Sequence, residues 1–336
     1  PYDALLLLSF GGPERREDVL PFLENVLRGK RVPQERMLEV AEHYYLFDGI
    51  SPINEQNRAL LTALIPELTS HDINLPVYWG NRNWHPMLAD TVRQMAEDGV
   101  TRALAFVTSA FASYSGCRQY LEDIERARTE VGPEAPEIDK LRLFHNHPDF
   151  IEPTADRVKE AFKEIDESVR ADARLVFTAH SLPNAMADAC AYVAQLHDAC
   201  QLVADRVGCS EWDLVYQSRS GPPSQPWLEP DVCDHLRSLR DAGCTNVVIV
   251  PIGFLSEHME VIYDLDVEAA QVAEEIGLNL VRSSVVGNHP RFVTMIRELI
   301  QERLEEDPER LSLGELGVSP DHCAPDCCKW QSNRPT

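Results

Sequence analysis

Three groups of residues in this chain combine types and spacings suited to chemistry. The first is His180, which follows the apolar stretch Leu175–Phe177. An imidazole there stands at a strand end, where it is a good ligand for ferrous iron and a base that titrates near physiological pH. The second is Glu257-His258-Met259-Glu260, which opens a helical stretch over Val261–Glu274. On a helix, Glu260, Asp264 and Glu268 are spaced four apart and share one face. A row of like carboxylates costs stability unless cations or solvent relieve it, so this face suits the passage of a hydrated cation toward His180. The third is His322-Cys323-Ala324-Pro325-Asp326-Cys327-Cys328 in the tail, which calls for a metal or redox explanation. Each group has an ordinary counterpart. A strand-end histidine commonly serves only its own hydrogen bonds, a carboxylate row commonly faces solvent, and tail cysteines are commonly free thiols. The first two gain weight from their placement at neighbouring strand ends.

The elements that would position them form one plan used twice. Strand-length apolar runs at Leu5–Ser9, Leu75–Gly80 and Ala103–Val107 have counterparts at Arg174–Thr178, Asp213–Gln217 and Val247–Pro251. Helical periodicity lies between them, over Arg58–Leu68, Met87–Glu97, Thr154–Glu167, Ala191–Val207 and Asp231–Asp241. Continuous apolar strands separated by helices imply parallel sheets covered on both faces. The halves echo each other in order: Tyr78 with Tyr216, Asp98-Gly99-Val100-Thr101 with Ala242-Gly243-Cys244-Thr245, and Asn146-His147-Pro148-Asp149-Phe150 with Asn288-His289-Pro290-Arg291-Phe292. Two similar doubly wound α/β domains are expected, over residues 1–140 and 141–290. A helix over about 292–306 packs back on the first, and an irregular tail over 307–336 carries the cysteine cluster. Ligands of such sheets bind at the carboxyl ends of the strands.

Composition narrows the function. Asp and Glu number 55 against 31 Lys and Arg, a net charge of −24, which argues against sequence-independent nucleic-acid binding and against anionic lipid. No apolar stretch approaches the roughly 20 residues of a membrane span. The opening run Leu5–Phe10 lacks the basic flank and length of a signal peptide. Nine cysteines, an odd number, fit a reducing cytoplasm better than a disulfide scaffold. Cys190, Cys200, Cys209, Cys233 and Cys244 read as ordinary buried thiols.

The strand-end loops give the sequence a family likeness. Leu8-Ser9-Phe10-Gly11-Gly12-Pro13, Gly49-Ile50-Ser51-Pro52, Phe177-Thr178-Ala179-His180-Ser181-Leu182-Pro183, Tyr216-Gln217-Ser218-Arg219 and Pro251–Asp264 resemble the ferrochelatases, in order and over nearly the whole chain. Ser51–Arg58, Tyr78–Trp84 and the Cys-x-x-x-Cys-Cys tail are similar to the actinobacterial branch, which acts on coproporphyrin III. The resemblance implies two flavodoxin-like (Rossmann-like) domains of the chelatase fold with a porphyrin cleft between them. It implies a lyase of haem biosynthesis that inserts Fe²⁺ into coproporphyrin III to give coproheme; protoporphyrin IX is the alternative substrate, and a non-catalytic tetrapyrrole carrier the alternative role. His180 and Glu260 take the places of the catalytic pair, and Asp264 and Glu268 continue the metal path. Ser51 and Tyr120 match porphyrin contacts, and Arg28 and Arg118 are candidate partners for propionates. Phe10 falls where firmicute enzymes carry an iron-ligating tyrosine, and a phenyl ring cannot ligate. Cys117, Cys323, Cys327 and Cys328 match the ligands of a [2Fe–2S] cluster. Spacing alone suits a structural four-cysteine zinc equally. A cytoplasmic monomer is implied, without stable membrane insertion, in transient contact with a downstream haem-pathway enzyme.

Overall fold

The computed structural model describes residues 1–30 and 32–330. The end of the tail, 331–336, lies outside the described residues. The chain divides into two compact units. Among the described residues, the first comprises 1–108, 119–142 and 293–309; the second comprises 109–118, 143–292 and 310–330. The short segment Ser109–Arg118 thus groups with the second unit although it follows a strand of the first.

The first unit is built on β1 (Ala4–Ser9), β2 (Val77–Asn81), β3 (Arg102–Val107) and β4 (Glu137–Lys140), all parallel, in the order β2-β1-β3-β4. Its helices are α1 (Val19–Leu27), α2 (Gln34–Tyr45), α3 (Ile53–Ser70), α4 (Leu88–Glu97) and α5 (Gln119–Val131). Every residue of β1 is buried, as expected of a central parallel strand covered on both faces. Leu6 and Leu8 pack with Val92 and Met95 of α4 and Ile124 of α5. Arg142 and Glu302, both buried, make a two-pronged ion pair at 2.7 Å per bond inside this unit.

The second unit repeats the plan. It contains α6 (Pro148–Lys163), β5 (Arg174–His180), α7 (Asn184–Ala187), α8 (Tyr192–Val207), β6 (Trp212–Gln217), α9 (Val232–Asp241), β7 (Asn246–Val250), α10 (Met259–Tyr263), α11 (Ala270–Ile276) and β8 (Asn279–Arg282). Its parallel sheet runs β6-β5-β7-β8. The two sheets share one topology, a four-stranded form of the flavodoxin-like order. The last helix, α12 (Pro290–Leu304), begins in the second unit and from Val293 onward belongs to the first. No helix among the described residues is long and apolar enough to cross a membrane.

The helix expected over Val261–Glu274 is not continuous. A wider π-helical turn over Asp264–Ala269 separates α10 from α11. The turn's i to i+5 bonding adds residues to the turn, so Glu260, Asp264 and Glu268 do not form the straight stripe that 3.6-residue periodicity predicts.

Candidate active site

In an open parallel sheet, loops diverge where consecutive connections leave in opposite directions, and that crevice lies at the carboxyl ends of the strands. In the second sheet it falls between β5 and β7. His180 is the last residue of β5, and Glu260 sits in the first turn of α10, after the loop that leaves β7. Gly253 makes the approach possible: a Cβ there would lie 2.7 Å from the Ala179 Cβ, and its amide donates to the Thr178 carbonyl at 3.1 Å.

His180 Nε2 stands 3.3 Å from Glu260 Oε1, with the two side chains 31% and 42% exposed. On the other edge of the ring, His180 Nδ1 donates to the Ser181 carbonyl at 2.5 Å. Tyr192 of α8 donates its hydroxyl to the His180 carbonyl at 2.9 Å, fixing the backbone from behind. Burial by itself would lower the imidazole pKa. The Glu260 carboxylate, the Ser181 carbonyl and Asp264 outweigh it and raise His180 to about 9, so the resting pair is imidazolium and carboxylate. The neighbouring His258 is pushed the other way, chiefly by burial, and its neutral Nδ1 accepts the Glu260 amide at 3.3 Å.

The acidic row continues behind the pair. Asp264, half-buried, is pushed up to about 7, first by burial and then by the Glu260 and Glu268 charges, against the lowering effect of a Ser218 hydrogen bond. Ser218 Oγ donates to Asp264 Oδ2, and Gln217 Nε2 donates to the Glu260 carbonyl at 2.6 Å. Ser218 holds this position with φ at +61°, a left-handed backbone that costs a serine energy. Glu268 lies at the exposed end. Glu257 faces away from the row, into Arg282 at 3.0 Å. Sequence reasoning quoted Gln217 and Ser218 within a motif but gave them no role.

Of the residues named for porphyrin contact, Ser51, Tyr120, Phe10 and Arg28 lie in the first unit and Arg118 in the second. Ser51 is buried, its amide donating to the Pro13 carbonyl at 2.9 Å, and a Cβ on Gly12 would meet its side chain. Tyr120 is buried in the α4–α5 core beneath the Arg82 guanidinium, 4.6 Å from the ring centre. Phe10 packs on Phe22 with ring centres 6.2 Å apart. Arg28 is exposed and donates to Asn25 Oδ1 at 2.6 Å. Arg82, which follows β2, was not singled out from the sequence, yet it is the hub here: it pairs with Asp123 of α5 at 2.6 Å, both side chains less than a tenth exposed.

Cys117, Cys323, Cys327 and Cys328 gather in one packet of the second unit with Ala112, Leu143 and a further thiol, Cys190. Arg118 is turned into this region, donating to the Cys327 carbonyl at 3.0 Å. Cys327 Sγ and Cys328 Sγ are 3.5 Å apart. That is close to the ~3.8 Å between two thiolates on one tetrahedral metal with bonds of about 2.3 Å. Among the described residues no three His, Cys, Asp or Glu side chains surround a single ion position. The packet supplies thiol donors of the type iron and zinc take, with one pair at ligand-like separation.

The paired sheets place the protein in the chelatase fold. The sirohydrochlorin chelatase SirB of Bacillus subtilis subspecies spizizenii, solved in complex with cobalt, matches with a TM-score of 0.52 at 13% identity, over 90% of this chain and 95% of that one. The family model described as ferrochelatase matches residues 2–304. A ferrochelatase of Rhodopirellula baltica is 58% identical over 336 residues, covering 100% of this chain and 95% of the relative. A coproporphyrin III ferrochelatase of Streptomyces griseus is 51% identical over 357 aligned positions, covering 100% and 95%. The chain belongs to the ferrochelatase family, lyases that insert ferrous iron into a porphyrin.

Proposed function

We propose that this protein inserts Fe²⁺ into coproporphyrin III to give coproheme, with His180 and Glu260 as the catalytic pair. The observation that carries the chemistry is the half-open His180–Glu260 contact at the switch point of the second sheet. The relative of Streptomyces griseus that bears the coproporphyrin name, alike over the whole chain, supports the choice of porphyrin.

Insertion releases two pyrrole protons and admits one dication. A resting imidazolium cannot accept a proton, so His180 must first lose its own, and the approach of Fe²⁺ to the Glu260 carboxylate favours that loss. Neutral His180 Nε2 then accepts a pyrrole proton or holds the metal as the macrocycle closes on it. Asp264, pushed up to about 7, takes up protons displaced at the pair, the second pyrrole proton among them, and passes them outward to exposed Glu268 as cations move inward. In the first unit, Arg82 under Phe10 and over Tyr120 orders the residues named for porphyrin contact, its own charge being taken up by Asp123.

Cys117, Cys323, Cys327 and Cys328 would hold a [2Fe–2S] cluster, which supplies a one-electron redox centre. Nine cysteines, an odd number, suit a reducing cytoplasm.

The test is anaerobic Fe²⁺ insertion, run side by side with coproporphyrin III and protoporphyrin IX. At least tenfold higher kcat/KM for coproporphyrin III is expected. Preference for protoporphyrin IX would overturn the substrate, and binding of either without turnover would overturn catalysis.

A further inference from the structure

We propose that the start of the tail is a strap that positions His180 for iron insertion, acting through α8 and Tyr192. This rests on the reading of His180 as a catalytic group, and every residue involved belongs to the second unit.

Residues 310–320 run as irregular chain, and fully buried Asn146 holds them. Its Nδ2 donates to the Leu313 carbonyl at 3.0 Å and to the Gly317 carbonyl at 2.9 Å, while its own backbone carbonyl accepts the Leu313 amide at 2.8 Å. Between these anchors Gly314, with φ at +71°, lies against Asp198 of α8. A Cβ there would come 2.7 Å from Asp198 Oδ1. Beneath the strap, Asp198 Oδ2 stands 3.6 Å from Nε2 of buried His145. Three hydrogen bonds and a close backbone approach make a specific attachment.

Along α8, Tyr192, Gln195 and Asp198 follow one another three residues apart, each about one turn beyond the last. Each meets a different neighbour. Tyr192 donates to the His180 carbonyl at 2.9 Å, Gln195 Oε1 accepts the Ala112 amide at 2.7 Å, and Asp198 meets the strap. Phe111, next to Ala112, ties the row together. Its ring centre is 6.4 Å from that of His145 and 6.4 Å from that of Tyr192. One buried ring therefore bears on the histidine beneath the strap and on the tyrosine behind His180. With the strap docked, Asp198 and His145 are covered and Phe111 is wedged in place. With the strap lifted, solvent reaches Asp198, His145 is no longer pressed toward Phe111, and the Tyr192 ring loses one wall of its seat. The hydroxyl that fixes the His180 backbone then loses its station, and catalysis is sensitive to such small displacements. The strap is an element with two positions, and the docked one favours the working placement of His180.

The experiment compares wild type, Gly314→Ala, Tyr192→Phe and the double variant as full chains, with circular dichroism as the check on folding. The methyl added by Gly314→Ala meets Asp198 and a left-handed backbone, so it lifts the strap without altering any group at His180. Two quantities are read. One is the rate at which limited proteolysis cuts within residues 308–320. The other is kcat and KM for anaerobic Fe²⁺ insertion into whichever of coproporphyrin III and protoporphyrin IX wild type turns over. Gly314→Ala should raise the cleavage rate at least ~10-fold and lower kcat about 3- to 10-fold, the worth of one hydrogen bond, with KM for porphyrin within about a factor of two. Tyr192→Phe should lower kcat by a similar factor, and the double variant should fall no more than about twofold below the slower single variant. A loosened strap with wild-type kcat would overturn the proposal. So would effects that multiply in the double variant, since the tail would then act by a route other than Tyr192. A strap cut no faster in Gly314→Ala would overturn it as well, because the approach to Asp198 would not be what holds it. Wild type that inserts iron into neither porphyrin would instead overturn the catalytic reading on which the proposal rests. Should Gly314→Ala not fold, Leu313→Pro takes its place: it removes the amide donated to the Asn146 carbonyl and is judged by the same readings.

Discussion

The two units share a strand order and differ in what they place at the crevice end of it. In the first, Arg82 after β2 meets Asp123 of α5, both under a tenth exposed, with Tyr120 filling the space beneath. In the second, the same stations carry Gln217 and Ser218 at the end of β6, Glu260 in α10 and Asp264 at the start of the π turn after it, while His180 ends the central strand. One arrangement is sealed and neutralised. The other is half-open, holds an imidazolium beside a carboxylate, and contains an aspartate raised to about 7. A closed pair is a structural device, because burial and mutual neutralisation leave it little capacity for exchange. An open pair with displaced pKa values is where protons and cations trade places. The duplication therefore supplies one frame and two uses.

The comparison breaks most visibly at His180. His180→Ala should lower iron insertion by at least ~100-fold, the scale of a positioned acid–base group, while porphyrin affinity measured by fluorescence quenching stays within a factor of two. Activity near wild type would remove His180 from the chemistry.

The sealed pair should respond in stability instead. Asp123→Ala leaves the Arg82 charge buried without that carboxylate and should cost about 3–5 kcal/mol, measured by urea unfolding. Glu260→Gln, at a site 42% exposed, should cost only about 1–2 kcal/mol in the same assay. Equal losses would dissolve the distinction between the two pairs.

The smallest effect is expected at Ser218. Removing its hydroxyl in Ser218→Gly takes away the donor to Asp264 and relieves the left-handed backbone, so stability should hold or rise. KM for Fe²⁺ should increase about 2- to 10-fold, the worth of one hydrogen bond, with kcat little changed. An unchanged KM would limit Ser218 to a backbone role.

Much of this frame was legible from residue order. The central strands Leu5–Ser9 and Val247–Val250 are continuous apolar runs because both their faces are covered, and that is a pattern a sequence shows. The edge strands β4, Glu-Ile-Asp-Lys, and β8, Asn-Leu-Val-Arg, gave no such signal. Edges are short and charged, which discourages pairing with other chains and also hides them. The acidic residues were visible as types, but the π turn that re-aims them was not, since periodicity arguments assume a uniform 3.6-residue helix. Arg82 was invisible for a simpler reason: it acquires its meaning from a partner distant in sequence, Asp123. Ser109–Arg118 likewise carries no mark of its grouping with the second unit.

The central claim is that the Glu260 carboxylate holds His180 as an imidazolium that must deprotonate before iron is inserted. The sign follows from the raised pKa. The pair's contribution to stability is complete below the ordinary histidine pKa of about 6.5 and is lost as pH rises through about 9. Activity runs oppositely, because the neutral ring is the working form. The most direct measurement is the pH dependence of kcat/KM for Fe²⁺ in wild type and in Glu260→Gln, run anaerobically with saturating porphyrin, since this ratio reports groups of the enzyme before iron binds. The wild-type rate should climb to a plateau through an apparent pKa near 9, and in Glu260→Gln that limb should move down by at least about one unit at a lower plateau. Limbs that coincide in the two proteins would contradict the claim.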